Sequence, residues 1–153
     1  MSEPTDMTSL CAELQTIWHK TIPISAQMGI EVLGWDDGEL TLKAALAPNI
    51  NVHETAFAGS LFAISTLAGW GSIWLALRAR QIDARIVLTD GHIEYKRPVA
   101  EDIVCRCRFD AAVQAPNLEQ LARTDSSFFP LTCTINAAGR RAVEFEGEYA
   151  ARV

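Results

Sequence analysis

The sequence predicts an α+β fold in which an antiparallel β-sheet wraps around one long central α-helix. No side chain between Glu54 and Arg78 ionises, so this segment predicts a helix that is buried along most of its length. Segments of alternating apolar and polar residues flank it on both sides, as is typical of half-buried strands. With 49% hydrophobic residues among 153, the chain holds enough apolar material for a proper core, and we expect a single domain over residues 1–153.

The first element is a predicted N-terminal helix over about residues 7–20. Apolar residues recur there on one helical face: Leu10, Leu14 and Ile17. Thr8 or Ser9 is expected to cap its start, and Pro23 is expected to stop it.

Strand patterns account for most of the remaining chain. A hairpin is predicted from residues 29–35 and 39–46, because Asp36-Asp37-Gly38 between them is a typical turn sequence. The central helix is expected over about residues 58–80. It is followed by strands over 85–96 and 102–110, a short helix opened by a capping box at Asn117-Leu118-Glu119-Gln120, and a closing hairpin over 131–136 and 143–150.

Composition and charge exclude several classes of function. The net charge of −6 argues against a nucleic-acid binder, which needs clustered Lys and Arg. Residues 1–6 are acidic and lack an apolar core, so we expect no secretory signal and a cytoplasmic protein whose four cysteines are reduced. No second Cys or His pair stands at zinc-finger spacing, so no metal is expected. The uncharged segment is long enough to cross a bilayer, but the flanking strands favour a buried helix and no membrane partner.

The segment that joins the hairpin to the central helix is the best candidate for a catalytic site. It reads Asn49-Ile50-Asn51-Val52-His53-Glu54-Thr55-Ala56-Phe57-Ala58-Gly59-Ser60-Leu61. Polar amide and imidazole groups precede small residues that leave the first helical N–H groups accessible. Such a helix start binds anions and oxyanions, so we expect the chemistry here.

This segment carries a resemblance to a known family. Three motifs carry it: Asn51-x-His53-x-Thr55-x-Phe57-Ala58-Gly59-Ser60-Leu61, then Leu67-Ala68-Gly69-Trp70-Gly71, and later Ile93-Glu94-Tyr95-Lys96-Arg97-Pro98. With these motifs the chain resembles the YiiD C-terminal-domain family of thioesterases. The resemblance covers residues 22–153 and implies the hotdog fold. The family also includes malonyl-ACP decarboxylases, which make acetyl-ACP to prime fatty-acid biosynthesis.

One departure from related enzymes favours one reaction over the other. Hotdog thioesterases of the phenylacetyl-CoA type carry an Asn, then His-Gly-Gly at the helix start, then an acidic residue inside the helix. In this chain Asn51 matches the Asn, Phe57 replaces the His, and the acidic position falls near Ser65 or Thr66. Hydrolysis usually needs a group that attacks or activates water. Decarboxylation of a malonyl thioester needs only a stabilised enolate, so the missing acid favours a lyase over a hydrolase.

The resemblance implies the following roles. Asn51 and the backbone of Ala58 and Gly59 orient the malonyl group and stabilise the enolate, with His53 as an accessory polar contact; these are the expected catalytic residues. Each has a structural alternative, since Asn51 also suits a turn and His53 a bond to the loop backbone. Further contacts to substrate are expected from residues around the helix start and along the helix, although some have simpler roles as turn formers or caps: Asn49, Thr55, Phe57, Ser60, Ser65 and Thr66.

Basic residues provide the expected contacts to the substrate's carrier. Arg78 and Arg80, and again Lys96 and Arg97, could hold the phosphates of coenzyme A or the acidic face of an acyl carrier protein. Ordinary surface charge is the alternative. No cofactor is expected beyond the coenzyme A or phosphopantetheine of the substrate, and the resemblance implies a homodimer or a dimer of dimers. An acyl-CoA or acyl-ACP thioesterase and a non-catalytic acyl-thioester binding module remain alternatives to the decarboxylase.

Overall fold

The computed structural model describes residues 5–153 and contains an antiparallel sheet that curls around a long helix. In chain order its elements are α1 (Met7–Thr21), α2 (Pro23–Gln27), β1 (Glu31–Asp36), β2 (Glu39–Ala44), a short 3-10 turn (Ala47–Asn49), α3 (Ala58–Arg78), β3 (Arg85–Tyr95), β4 (Ile103–Arg108), α4 (Ala111–Thr124), β5 (Ser126–Ala137) and β6 (Arg140–Arg152). The six strands of the described chain lie in the order β1-β2-β4-β5-β6-β3. The α+β class predicted from the sequence is therefore confirmed.

Helix α3 fills the concave side of the sheet. Its long apolar sequence explains this position, because a helix that is apolar around its circumference must be covered on all sides. Of the described helices, α3 alone is long and apolar enough to cross a bilayer, and 78% of its most apolar stretch is buried inside the fold. The buried-helix interpretation of this segment is thus the one that the structure supports.

The inner face of the sheet meets α3 through alternating strand residues. The predicted alternation is confirmed on β4, where Cys105 and Cys107 are buried, and on β6, where Val143, Phe145 and Tyr149 are buried. The Tyr149 hydroxyl donates to the carbonyl of Thr66 on α3 at 2.7 Å. Packing of these residues fixes the depth at which the helix lies in the sheet.

Strand β3 changes the face it presents partway along. A bulge lies between Leu88 and Asp90, so the inward positions are even-numbered before it and odd-numbered after it. Consequently Tyr95, at the end of the strand, shares the inward face with Ile93 and Gly91. A strand without this bulge would direct Tyr95 away from α3.

Three local predictions were wrong or incomplete. The cap of α1 is Asp6, whose carboxylate accepts from the N–H of Thr8 at 3.0 Å and from the hydroxyl of Ser9 at 2.8 Å, so neither Thr8 nor Ser9 caps it. Pro23 ends α1 as predicted but also begins α2, since proline fits the first position of a helix.

The capping box predicted at Asn117 is wrong, because the helix there begins earlier. Asp110 caps α4 by accepting from the N–H groups of Ala112 at 3.0 Å and Val113 at 3.2 Å. Asn117 lies inside the helix, where its amide donates to the side chain of Gln114 at 2.7 Å. Pro116 also lies within α4.

Candidate active site

The start of α3 presents backbone N–H groups that the fold leaves free. Its N-cap is Phe57, which has no capping side chain, and the first intrahelical donor is Leu61 N, 3.1 Å from the carbonyl of Phe57. Within residues 5–153, the N–H groups of Ala58, Gly59 and Ser60 meet no acceptor. A helix of 21 residues concentrates partial positive charge at such an end. The arrangement can therefore bind an anion or a developing oxyanion.

A missing side chain shapes this helix start. A Cβ placed on Gly59 would lie 2.4 Å from Cε1 of the Phe57 ring. Glycine thus allows the ring to fold back over the first turn of α3. The ring remains 54% exposed, so it forms part of the surface that a substrate would meet.

Asn51 organises the loop that precedes the helix. Its Nδ2 donates to Thr55 Oγ1 at 3.0 Å and to the carbonyl of Ala56 at 3.3 Å. Its Oδ1 accepts from the N–H of His53 at 2.8 Å and from that of Thr55 at 3.2 Å. Both amide hydrogens and both lone pairs are therefore in use. The geometry makes Asn51 a residue that holds the loop in shape, and direct donation to a substrate would break one of these bonds.

The other polar residues of the loop have separate positions. Thr55 does not cap α3, because the helix begins at Ala58 and Thr55 Oγ1 is bonded to Asn51. His53 is exposed, and its imidazole forms no hydrogen bond with the part of the chain that is described. Glu54 follows with a φ of 61°, in the left-handed region that a non-glycine residue rarely adopts. The loop is thus held tightly at Asn51 while His53 remains free to meet a ligand.

Two clefts flank the start of α3. The first, which we call the basic cleft, has a volume of about 250 Å³. It is lined by Asn51, Ala56, Ala58, Leu61, Tyr95, Lys96, Arg97, Pro98 and Val99. The structure thereby brings together four of the residues that the sequence singled out, from three separate segments of the chain: Asn51, Ala58, Lys96 and Arg97.

Tyr95 is a residue of the basic cleft that sequence reasoning did not assign. Its hydroxyl donates to the carbonyl of Ala58 at 2.9 Å, which ties the end of β3 to the first turn of α3. Burial raises the pKa of Tyr95 above its ordinary value, so the hydroxyl stays protonated and continues to donate. The sequence does not mark the bulge that turns Tyr95 inward, because Gly91, the residue of this strand that would suggest an irregularity, pairs regularly with Gly147.

The second cleft, which we call the apolar cleft, has a volume of about 440 Å³. Apolar side chains dominate its lining, and α2 contributes one wall. The lining residues are Ile24, Gln27, Met28, Pro48, Asn49, Phe57, Gly59, Ser60 and Ala63. Three predicted substrate contacts, Asn49, Phe57 and Ser60, therefore lie here and not in the basic cleft. Gly59, predicted as a catalytic residue, lies here too.

Asn49 is almost completely buried, with 2% of its surface exposed. Its Nδ2 donates to the carbonyls of Met28 at 2.9 Å and Ala45 at 2.8 Å. Its backbone carbonyl accepts from the N–H of Phe57 at 2.7 Å. Within the described chain its Oδ1 has no partner. Asn49 therefore links α2, the 3-10 turn and the start of α3, which is the structural role that the sequence left open for it.

The two hydroxyl residues inside α3 bond back to the helix. Ser65 Oγ donates to the carbonyl of Leu61 at 2.8 Å, and Thr66 Oγ1 donates to that of Phe62 at 2.9 Å. Ser65 is fully buried. Neither residue lines either of the two clefts. These are the backbone contacts that mid-helix hydroxyls usually make.

Arg78 and Arg80 lie at the opposite end of α3. Since the helix has 21 residues, they stand about 30 Å from its start. Arg78 pairs with Glu13 at 3.3 Å and lies over the ring of Trp74, and Arg80 donates to the carbonyl of Ala76 at 2.7 Å. The structure therefore does not bring these two residues together with the other predicted contacts of the same chain.

Neither cleft is lined by a carboxylate among residues 5–153. The described residues also contain no group of three or more His, Cys, Asp or Glu that could hold a metal ion. What the site offers is free backbone N–H groups, the Tyr95 hydroxyl, nearby cations and an apolar wall. Such a site can stabilise negative charge on a bound group, but it lacks a carboxylate base of its own.

Comparison with known proteins gives one family and a set of similar folds. Residues 11–153 match a family model described as "Putative thioesterase (yiiD_Cterm)". A crystal structure from Shewanella oneidensis, described as a "putative thioesterase", is 39% identical over 96% of this chain and 100% of that chain, with a TM-score of 0.89.

Other solved structures are similar at lower identity. A Chlorobaculum tepidum protein of "unknown function" is 28% identical over 97% of this chain and 98% of that chain, with a TM-score of 0.93. The E. coli PaaI protein from the phenylacetic acid degradation operon is 12% identical over 97% and 96%, with a TM-score of 0.65. At this identity PaaI supports the fold alone.

Proposed function

Because this chain belongs to the family described as "Putative thioesterase (yiiD_Cterm)", which has the hotdog fold, we propose that it acts on an acyl thioester at the start of α3. Our first candidate reaction is decarboxylation of malonyl-ACP to acetyl-ACP, which would feed fatty-acid biosynthesis. The thioester carbonyl would accept hydrogen bonds from the N–H groups of Ala58 and Gly59.

The observation that carries this proposal is the combination of free N–H groups with clefts that no described carboxylate lines. Hydrolysis needs an activated water, and the usual base for it is a carboxylate or a histidine. Decarboxylation needs stabilisation of an oxyanion, which preorganised N–H donors supply. A nearby carboxylate would also repel the malonyl carboxylate. The site thus suits the decarboxylase better.

In this reaction the bond between Cα and the carboxylate carbon breaks. Its electron pair remains on the thioester as an enolate, carbon dioxide leaves, and the enolate carbon then takes a proton from water to give the acetyl thioester. The enolate oxygen is the atom that the N–H groups of Ala58 and Gly59 would stabilise. Asn51 supports these donors by holding the loop in front of them. His53 would be the accessory polar group that orients the water.

Hydrolysis is the second candidate, and a different observation favours it. The apolar cleft of about 440 Å³ offers more room than a malonyl group needs and suits a longer acyl chain. In that case His53 or Asn51 would position the attacking water. A third possibility, a module that binds acyl thioesters without turnover, would use the same clefts.

We also propose that the chain works as a homodimer or a dimer of dimers. Strand β3 ends the sheet, so its outer edge offers unpaired backbone groups to a second copy, and residues of that copy would help to complete the site. The mass of the particle in analytical ultracentrifugation measures this assembly. A monomer would contradict it.

The test of function removes one backbone N–H donor at the start of α3. Ala58→Pro removes one N–H at the first position of α3, where proline is tolerated. The preceding Phe57 already has the extended conformation that a following proline requires, with φ −63° and ψ 134°. Loss of one oxyanion donor should lower kcat by about 10²–10³-fold. Unfolding by urea should show little change in stability.

Mass spectrometry of the wild type with malonyl-ACP, malonyl-CoA and a panel of acyl-CoAs separates the candidates. Acetyl thioester without free thiol, lost in Ala58→Pro, supports decarboxylation, whereas free thiol from the acyl panel makes the protein a thioesterase. The matched control is Ala111→Pro at the first position of α4, whose N-cap Asp110 is also extended, with φ −79° and ψ 108°. The proposed role of the α3 donors is wrong if both proline variants behave alike.

A further inference from the structure

Four cationic side chains gather beside the basic cleft, at the end of β3 and the turn between β5 and β6. We call them the basic rim: Lys96, Arg97, Arg140 and Arg141. The N–H groups of Lys96 and Arg97 both donate to the carbonyl of Ala142, at 2.7 and 3.2 Å. Arg97 Nη1 donates to the carbonyl of Arg141 at 3.1 Å. These bonds hold the end of β3 against the start of β6, where Arg140 and Arg141 lie, although more than 40 positions separate the two segments in the sequence.

The basic rim is only partly neutralised. Lys96 lies 3.7 Å from Glu94 and 3.6 Å from Glu144, and Glu144 also lies 3.5 Å from Arg141. Arg97 and Arg140 form no ion pair with any residue that the structure describes. The carboxylate of Glu101 also lies at the turn between β5 and β6, where it accepts from the N–H of Ala138. Four cations therefore meet three carboxylates here, an excess of positive charge on a chain whose net charge is −6.

The position of the basic rim connects it to the candidate active site. Lys96 and Arg97 line the basic cleft together with Ala58, whose N–H is one of the free donors. The other predicted basic residues, Arg78 and Arg80, lie about 30 Å from the start of α3. Arg78 contacts Glu13 and Trp74, and Arg80 donates to a helix carbonyl. A ligand that reaches this helix start through the basic cleft therefore passes Lys96 and Arg97 of the basic rim and not the other group.

We propose that the basic rim docks the carrier of the thioester, and that this carrier is an acidic protein whose phosphopantetheine arm enters the basic cleft. The inference rests on the proposed function and adds Arg140 and Arg141 to the contact residues. Lys96, Arg140 and Arg141 are exposed on a surface formed by two segments, not enclosed in a pocket. Charges spread in this way match an extended acidic surface and steer its approach. Arg97, at the mouth of the cleft, is placed to pair with the phosphate of the arm.

The first test measures binding without turnover. A bacterial holo-acyl carrier protein without an acyl group is titrated into the wild type, Arg140→Glu and Arg123→Glu at two salt concentrations. Arg123 is the matched control because it is exposed on α4 and forms no ion pair among residues 5–153. We expect about tenfold weaker binding for Arg140→Glu, wild-type binding for Arg123→Glu, and a smaller difference at high salt. Equal binding by all three proteins would overturn the proposal.

Coenzyme A is titrated in parallel to separate the two possible carriers. Arg140→Glu should weaken binding of the carrier protein more than that of coenzyme A. An equal loss for both would make the basic rim a phosphate site that does not distinguish carriers, and the docking surface would be overturned.

Turnover separates this proposal from the proposed function. With malonyl-ACP and malonyl-pantetheine as substrates, the ratio of their kcat/KM values should fall about tenfold in Arg140→Glu and stay constant in Arg123→Glu. Carrier binding that depends on Arg140, without turnover of any thioester, would contradict the enzymatic function while supporting the docking surface. Turnover with a ratio insensitive to Arg140 would do the reverse.

Discussion

At the scale of single residues, Asn51 shows how a polar side chain in a candidate active site acts through its neighbours. Its amide is fully occupied by the loop that leads to α3. Asn51→Ala should therefore lower the free energy of unfolding by about 1–2 kcal/mol as well as reduce activity. Asn117→Ala, which removes one partly buried hydrogen bond to Gln114, is the control and should change both less.

Urea unfolding and the malonyl-ACP assay together check this expectation. Activity lost at unchanged stability would show that Asn51 contacts the substrate directly. In that case the loop bonds seen here must open when the substrate binds.

Gly69 is a second residue with a specific role, because the fold leaves no room for a side chain at its position. A Cβ at this position would lie 2.1 Å from the hydroxyl of Tyr149, which is fully buried and donates to Thr66. We expect Gly69→Ala to lower the free energy of unfolding by about 1–2 kcal/mol, because overpacking outweighs the better helix propensity of alanine. Gly34→Ala is the control, since nothing lies within 4 Å of the added atom. Equal unfolding midpoints in urea would contradict the packing argument.

At the scale of elements, α4 is the helix whose predicted start differs from the start that the structure contains. The structure assigns its cap to Asp110 and not to Asn117. Asp110→Ala should therefore cost about 1 kcal/mol of stability, whereas Asn117→Ala should cost a few tenths. Thermal or urea unfolding of the two variants decides between the caps. A larger loss for Asn117→Ala would restore the capping box.

The fold was predictable because its signals extend over many residues. The uncharged stretch before Arg78 and the alternation of Cys105 with Cys107 each repeat one physical requirement several times. The short elements were harder to predict. The helix Pro23–Gln27 has five residues and no periodicity to detect, and the cap of α4 depends on where the chain turns after β4.

The candidate site was predictable in part. The start of α3 follows from small residues after a polar loop. The inward position of Tyr95 depends on a bulge at Thr89, and the approach of Arg141 to Arg97 depends on pairing between distant strands. Local sequence carries no direct record of such long-range contacts, so Tyr95, Arg140 and Arg141 were not assigned.

At the scale of the whole molecule, the buried thiols report on the integrity of the fold. Cys105, Cys107 and Cys133 are each at most 1% exposed, and burial raises the pKa of Cys105 and of Cys133 above the ordinary thiol value. Since iodoacetamide reacts with thiolates, these three should label only when the molecule unfolds. Their rates, followed by mass spectrometry, should rise together with urea concentration.

Cys11 provides an internal comparison because it lies on α1, outside the sheet, and is 7% exposed. Faster labelling of Cys11 in native buffer would indicate local opening of that helix. Native labelling of the three sheet cysteines at a rate independent of urea would contradict a tightly packed interior.

The order of strands also has a consequence for the newly made chain. In the described chain β3 pairs with β6. During synthesis, residues 85–95 therefore have no strand partner until residues 140–152 have been made. The start of α3 leaves the ribosome well before Tyr149, whose hydroxyl bonds to the carbonyl of Thr66 on that helix. Until residues 140–152 have been synthesised, an apolar helix and an open strand edge are exposed together. Nascent chains of this protein should therefore depend on chaperones, and shortening the last strand should abolish the site at the distant start of α3.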